Sequence, residues 1–256
     1  MYHCSCLDHV RARARIVYNM VEDRCIVLTG ATKGLGLALV EECFSREDTK
    51  KVRLFGCGRN SAKVAELNAK YAPRFRFTAL SVADPKAVEA WAKQVVDECD
   101  GTGPNLLINN ASVANERRPL WNIERDEFDA IVDINLKGTF YVIKAFLPAM
   151  TSGMIVNMTS GWGRTTDADV APYCATKFAQ EGLSLALADD LRARGRSGIG
   201  CCPLNPGVID TDMLRTVFGP SAANHWKPDE WAKVALSYML SLTAADSGKR
   251  LTVPRH

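Results

Sequence analysis

A chain of 256 residues is long enough for one large α/β domain and does not require two. Its 47% apolar and 24% charged residues are ordinary for a soluble globular protein, and a formal charge of +3 is too small at this size to imply a nucleic-acid or membrane partner. Nothing approaches the ~18 consecutive apolar residues of a membrane span, and nine scattered cysteines, an odd number, read as reduced thiols in an intracellular, cytoplasmic setting.

Residues 1–19 stand apart from the rest of the chain. His3, Cys4, Cys6 and His9 are soft ligands whose spacing fits no familiar zinc module, and no metal site is assigned there. Arg11, Arg13 and Arg15 leave an Arg-rich import leader open. The plainer reading is a disordered leader or extension, with the domain occupying residues 20–256.

From there apolar runs of strand length alternate with segments of helical period. Strands are expected at Cys25–Thr29, Val52–Phe55, Phe75–Leu80, Leu106–Asn109, Met154–Met158, Gly198–Cys202 and, weakly, Arg250–Val253. Helices are expected to start near Leu35, Ser61, Pro85, Asp126, Tyr173 and Asp229. The strands are unbroken apolar runs, as when both faces of a sheet are covered. The fold class is therefore α/β: a single Rossmann-like, doubly wound parallel sheet with helices on both faces. Ligands of such sheets sit beyond the carboxyl ends of the strands.

The first strand runs into Thr29-Gly30-Ala31-Thr32-Lys33-Gly34-Leu35-Gly36 and then an apolar helix. Gly30 permits a sharp turn, while Gly34 and Gly36 allow close backbone approach to a diphosphate at a helix N-terminus. Three glycines can also be plain turn punctuation, but strand before and helix after argue for the phosphate site. The second strand ends Gly56-Cys57-Gly58-Arg59-Asn60, without the acid that would accept from a ribose 2′-hydroxyl. Arg59, with Lys33, suits a 2′-phosphate, so the expected cofactor is NADP(H) and NAD is the lesser choice. The alternative is two solvated surface cations.

Further along, Tyr173 and Lys177 lie four residues apart, on one face of a helix. A phenol of pKa ~10 keeps its proton at neutral pH, and a neighbouring ammonium is expected to pull that value down, making Tyr173 an acid/base. Ser160, just past the strand ending Asn157-Met158, has a hydroxyl suited to a carbonyl oxygen gaining charge.

With these residues in place, the chain resembles the short-chain dehydrogenase/reductase family from about Arg24 to Val253. The resemblance rests on the glycine motif Thr29–Gly36, on Asn109-Asn110-Ala111-Ser112, and on Asn135 within Asp133–Gly138. It rests also on Ser160 thirteen residues before the tyrosine, on Tyr173-x-x-x-Lys177, and on Pro206-Gly207 followed by Thr211. It implies a catalytic set of Asn135, Ser160, Tyr173 and Lys177, with Asn135 holding a helix kink and a water that relays protons to Lys177. The implied cofactor contacts are Gly30, Thr32, Lys33, Gly34, Leu35, Gly36, Arg59, Val82 by the adenine, Asn110, Tyr173, Lys177, Ile209 at the carboxamide, and Thr211. The implied reaction is hydride transfer between nicotinamide and a carbonyl or secondary alcohol. A homodimer or homotetramer built on the helices starting near Asp126 and Tyr173 is also implied.

Three departures stand out. Ser81 replaces the family's aspartate after the third strand, Ser112 adds bulk where the family has glycine, and Leu251-Thr252-Val253-Pro254 lacks the common D-G-G ending. The substrate pocket is expected to be lined by Trp162, Met213, Phe218 and Trp226, with Gly219-Pro220 as a lid turn, although local packing would explain the same aromatics equally well. Arg117 and Arg118 read as solvated surface rather than as contacts to an acidic substrate. The substrate is a small carbonyl or alcohol compound that the sequence does not name. Two rival functions remain: a non-catalytic NADP(H)-binding sensor or partner-binding protein, and an epimerase or dehydratase of the same family.

Overall fold

The computed structural model describes residues 24–255, together with all side chains in that range except those of Val217 and Phe218. The residues expected to form a leader lie outside it. In chain order the elements are β1 (Cys25–Thr29), α1 (Gly34–Ser45), β2 (Arg53–Gly58), α2 (Ser61–Tyr71), β3 (Phe75–Ala79), α3 (Pro85–Glu98) and β4 (Leu106–Asn109). There follow α4 (Arg125–Val132), α5 (Gly138–Phe146), β5 (Gly153–Met158), α6 (Ala171–Ala193), β6 (Ile199–Asn205), α7 (Asp212–Phe218), α8 (Pro228–Ser241) and β7 (Leu251–Thr252).

The strands form one seven-stranded sheet in the order β3-β2-β1-β4-β5-β6-β7, with every pairing parallel. Parallel neighbours need crossovers, and the helices supply them on both faces. Alternation along β1 shows the layering. Ile26 and Leu28 join a core with α1, α2 and α8 that includes Leu39, Leu67 and Trp231. Cys25 and Val27 point the other way, into a core with Trp91 and Val95 of α3, Val142 and Phe146 of α5, and Leu191 of α6. Each fully buried aliphatic or aromatic side chain contributes roughly 1.5–3 kcal/mol, so a sheet covered on both sides is held by two independent cores.

The chain reverses direction across the sheet between β1 and β4, and this switch point opens the crevice where ligands of such folds sit. The helices that leave the strands differ at their starts. Asn60 caps α2 by accepting from the Lys63 amide, and Asp84 caps α3 by accepting from the Lys86 and Ala87 amides ahead of Pro85. Beyond β1, α1 has extended Lys33 at its N-cap, no side-chain cap and no acid in its first turn. Its free N–H groups are left for something else.

Four elements depart from the sequence expectation, two of them β2 and β6, which each run three residues past their expected ends, to Gly58 and Asn205. Residues 212–218 fold as the short helix α7, capped by Thr211, whose hydroxyl accepts from the Leu214 amide at 3.2 Å, and ended by Gly219 at φ +59°. Between α4 and α5, Asp133–Lys137 widen into a π-helical turn.

The seven cysteines among the described residues are all buried and unbridged. Burial pushes the Cys43, Cys57 and Cys202 thiols up to about 12, far from a reactive thiolate. Among the described residues no helix is long and apolar enough to cross a membrane, and no group of three or more His, Cys, Asp or Glu side chains is placed to hold a metal ion.

Candidate active site

Two adjoining cavities open at the carboxyl ends of the strands. The first is a cleft of about 340 Å³ running from Lys33 and Arg59 past Gly30, Thr32, Gly34 and Leu35, then Ser81 and Val82, then Asn110 and Ser112, to Tyr173, Lys177 and Thr211. The second is lined by Ser160, Trp162, Thr165, Asp167, Ile209 and Leu214. Tyr173 belongs to the walls of both, and it is 8% exposed.

The glycine turn is tight for a reason the structure makes explicit. Gly30 has φ +68°, and a Cβ there would come within 2.9 Å of the Ala111 backbone. Gly36 is buried against the Gly30 carbonyl, where a Cβ would meet that oxygen, so it packs helix on strand and does not face the cleft. Gly34 has φ +54°, and a Cβ there would meet only Thr211 Cγ2, at 4.0 Å. Asn110 braces the turn from β4, donating from Nδ2 to the Thr29 carbonyl at 2.9 Å and to Gly30 at 3.2 Å.

This end of the cleft fits a phosphorylated dinucleotide. The uncapped N-terminus of α1 suits a diphosphate. Exposed Lys33 and Arg59 stand at the rim, and the lining's single described carboxylate, Asp212, is on α7. An acid near Arg59 would repel a 2′-phosphate; none lines the wall there. Val82 sits in the wall behind, packed against Gly138.

At the other end the polar groups are buried. Lys177 is 2% exposed, and its Nζ donates to the Met158 carbonyl at 2.9 Å and to Gln180 Oε1 at 2.8 Å. Gln180 in turn donates from Nε2 to the Asn135 carbonyl and to Thr139 Oγ1, both at 2.8 Å. The π turn frees that carbonyl from the regular helical ladder, and Thr139 also donates to it, at 2.7 Å. The Asn135 side chain is fully buried behind the cleft, donating to the Val113 carbonyl and to Thr176 and accepting from the Val113 amide at 2.8 Å. Asn135 thus reaches Lys177 through its main chain and Gln180, a residue with no sequence signal beyond its place one turn after the lysine.

Ser160 accepts the Trp162 amide at 3.2 Å, which leaves its own proton free, and its hydroxyl favours ionisation of the Tyr173 phenol. Ser112 does the same more weakly, and its hydroxyl donates to Asn135 Oδ1 at 3.1 Å. The expected bulk at Ser112 is thus accommodated as a hydrogen bond.

The electrostatics correct one expectation. Burial pushes the Tyr173 phenol up to about 12, and the groups opposing this are the Ser160 and Ser112 hydroxyls, not Lys177. The Lys177 ammonium is turned toward Met158 and Gln180, 5.4 Å from the tyrosine ring centre, and burial pulls its own value down to about 7. A cation that burial itself disfavours lends the phenol little charge.

Below the site, buried Glu181 accepts from Thr159 at 2.7 Å and from Arg164 Nε at 3.0 Å. Arg164 continues to the Leu251 carbonyl and Thr252 Oγ1 of β7. The substrate-side expectations divide. Trp162 and Met213 line the second cavity, but Trp226 packs on the core, drawn in by the bridge pairing its backbone with Ile209. The Phe218 side chain lies outside those described. Arg117 pairs with Asp167 and Arg118 with Glu127, fastening neighbouring loops.

Comparison with known proteins decides the family. Residues 24–220 match the short chain dehydrogenase family profile. The chain belongs to the short-chain dehydrogenase family. A 39% identical relative, the NADPH-dependent pterin aldehyde reductase of Arabidopsis thaliana, aligns over 92% of this chain and 95% of its own. An uncharacterised oxidoreductase of Bacillus subtilis is 31% identical over 84% of each chain. Among solved structures, the NADPH-bound carbonyl reductase from chicken fatty liver superposes with a TM-score of 0.79 at 26% identity, covering 91% of this chain and 97% of that one. As a member of this family the protein is an oxidoreductase.

Proposed function

We propose that Tyr173 is the acid/base of an NADP(H)-dependent oxidoreductase acting between a carbonyl and an alcohol. The observation that carries this is the position of the Tyr173 phenol, buried where the two cavities meet. A bound nicotinamide supplies the hydride. Tyr173 gives its phenolic proton to the substrate oxygen as the carbon becomes tetrahedral, and Ser160 donates to the same oxygen. With the phenol held up to about 12, Tyr173 carries its proton at neutral pH, the form that reduction requires. Lys177, fixed by Met158 and Gln180, holds its ammonium beside the ring, and Asn135 fixes the π turn that supports Gln180.

Lys33 and Arg59 take the 2′-phosphate; Gly30, Thr32, Gly34 and Leu35 take the diphosphate, with Gly36 keeping the turn closed. Val82 and Asn110 flank the nucleoside portions, and Ile209 and Thr211 hold the carboxamide side. The second cavity, with Trp162, Met213, Leu214 and Val208 as apolar wall and Thr165 and Asn205 as polar groups, suits a carbonyl on a flat aromatic body, as in the pterin aldehyde of the Arabidopsis relative. The working unit is residues 20–256. It assembles as a homodimer or homotetramer through α4, α5 and α6, which present Phe128, Phe140 and Phe178 at 38%, 47% and 43% exposure.

The test is turnover of a panel containing a pterin aldehyde, a benzaldehyde and an aliphatic ketone, with NADPH and with NADH. NADPH is expected to be preferred, and Tyr173→Phe is expected to lower kcat roughly 10²–10⁴-fold with the cofactor Kd unchanged. Full turnover in that variant sinks the assignment.

A further inference from the structure

We propose that Ser112 is a positioning residue for Tyr173, a rotating hydroxyl that is satisfied by Asn135 while the tyrosine is a phenol and donates to the tyrosine oxygen once it is a phenolate. The inference rests on the acid/base reading of Tyr173. The Ser112 hydroxyl donates to Asn135 Oδ1 at 3.1 Å and lines the same cleft as the Tyr173 phenol, whose ionisation it favours. A serine has one proton to give, so it serves Asn135 or Tyr173, one at a time. Asn135 Oδ1 has a second donor, the Val113 amide at 2.8 Å, from the residue next to Ser112. When the Ser112 proton swings away, the buried Asn135 oxygen is still bonded and no polar atom is orphaned. Rotation of the hydroxyl is therefore cheap, whereas leaving a buried acceptor bare would not be.

The step balances without a co-reactant. In reduction the Tyr173 O–H bond breaks and an O–H bond forms on the product oxygen. The negative charge left on the phenolate is met by the Ser112 O–H, from the loop after β4, while Ser160, from the loop after β5, stays on the product oxygen. In oxidation Ser112 likewise stabilises the phenolate that removes the alcohol proton. The other groups facing the phenol are Lys177, 5.4 Å from the ring centre, and Cys174, which opposes ionisation. No described carboxylate acts on the phenol. A glycine at position 112 has no hydroxyl to offer, so this chain carries a donor that the family's usual motif lacks.

The experiment is the pH dependence of alcohol oxidation with NADP⁺, as kcat/KM, for wild type, Ser112→Ala, Ser112→Gly, Ser112→Thr and Tyr173→Phe, with NADPH Kd measured alongside. Ser112→Ala and Ser112→Gly are expected to move the ionisation that limits oxidation up by about one pH unit, lowering kcat/KM about tenfold below it. Ser112→Thr, which keeps the hydroxyl, is expected to restore the wild-type profile, and Kd is expected to change less than about twofold. An unmoved profile in both deletions, with only KM or thermal stability altered, overturns the role of Ser112, as does a threonine variant that behaves like alanine. If Tyr173→Phe keeps the wild-type profile, the acid/base reading itself falls and this proposal falls with it. A dead Tyr173→Phe beside an unmoved Ser112→Ala rejects Ser112 alone.

Discussion

The two ends of the cleft are built on opposite principles. At the β1–β2 end the polar groups are the uncapped amides of α1 and two exposed cations, Lys33 and Arg59. At the β4–β5 end they are buried side chains, Asn135, Lys177, Gln180, Thr139 and Thr176, each bonded to its neighbours. Exposed charges bind with modest, salt-sensitive energy and tolerate variation. Buried polar networks are costly when broken, and they hold their groups within tenths of an ångström. One end is open and charged; the other is closed and fixed in its geometry.

That contrast can be broken from either side. The largest effect is expected from Lys177→Met, which removes a buried donor from two acceptors: kcat for carbonyl reduction should fall roughly 10²-fold or more while NADPH still binds, and a fall under threefold would show that the network is only scaffolding. Next comes stability against pH. With the Lys177 pKa near 7 in the folded chain and 10.5 as its ordinary value, the unfolded chain binds more protons between those limits. Stability should therefore rise through this group from about pH 7 to about pH 10.5, by a few kcal/mol. Denaturant titrations across that range should show the slope in wild type and its loss in Lys177→Met; equal slopes would contradict the cost of burying that ammonium.

A smaller effect is expected at the open end. Arg59→Ala should weaken NADPH about tenfold and NADH hardly at all, with the difference shrinking as salt rises; isothermal titration at two ionic strengths measures it, and an equal loss for both nucleotides would remove Arg59 from the 2′-phosphate. Smallest is Gly34→Ala, which places a side chain at φ +54° without a clash, its one neighbour Thr211 Cγ2 at 4.0 Å. The left-handed backbone should cost about 1–2 kcal/mol of stability, read as a shift in thermal midpoint, and an unchanged midpoint would mean the turn relaxes freely.

Much of this was legible in the sequence, and the reasons differ by region. β1 and β4 have the expected limits because each is an unbroken apolar run closed by Asn, Gly or Thr, and the helix starts at Ser61 and Pro85 carry their own caps. α7 was missed although Thr211 and Gly219 are ordinary start and stop signals, because seven residues hold too few turns to show a period. Tyr173 and Lys177 do share a buried helix face, but spacing says nothing of where an ammonium points, and Lys177 points to Met158 and Gln180. Gln180 and Ser112 were unreadable as site members because their partners come from 45 and 23 residues away. Trp226 looked like a pocket wall by size alone; its backbone bridge to Ile209 turns it onto the core.

Glu181 has a consequence beyond its own burial. Through it the strap from Thr159 to Arg164 is tethered to β7, the edge strand of the sheet. Tension on that edge strand would be felt at Ser160, one residue from the tether. Truncating Glu181 would untie that strap from the sheet edge and leave the Thr159 hydroxyl without its acceptor.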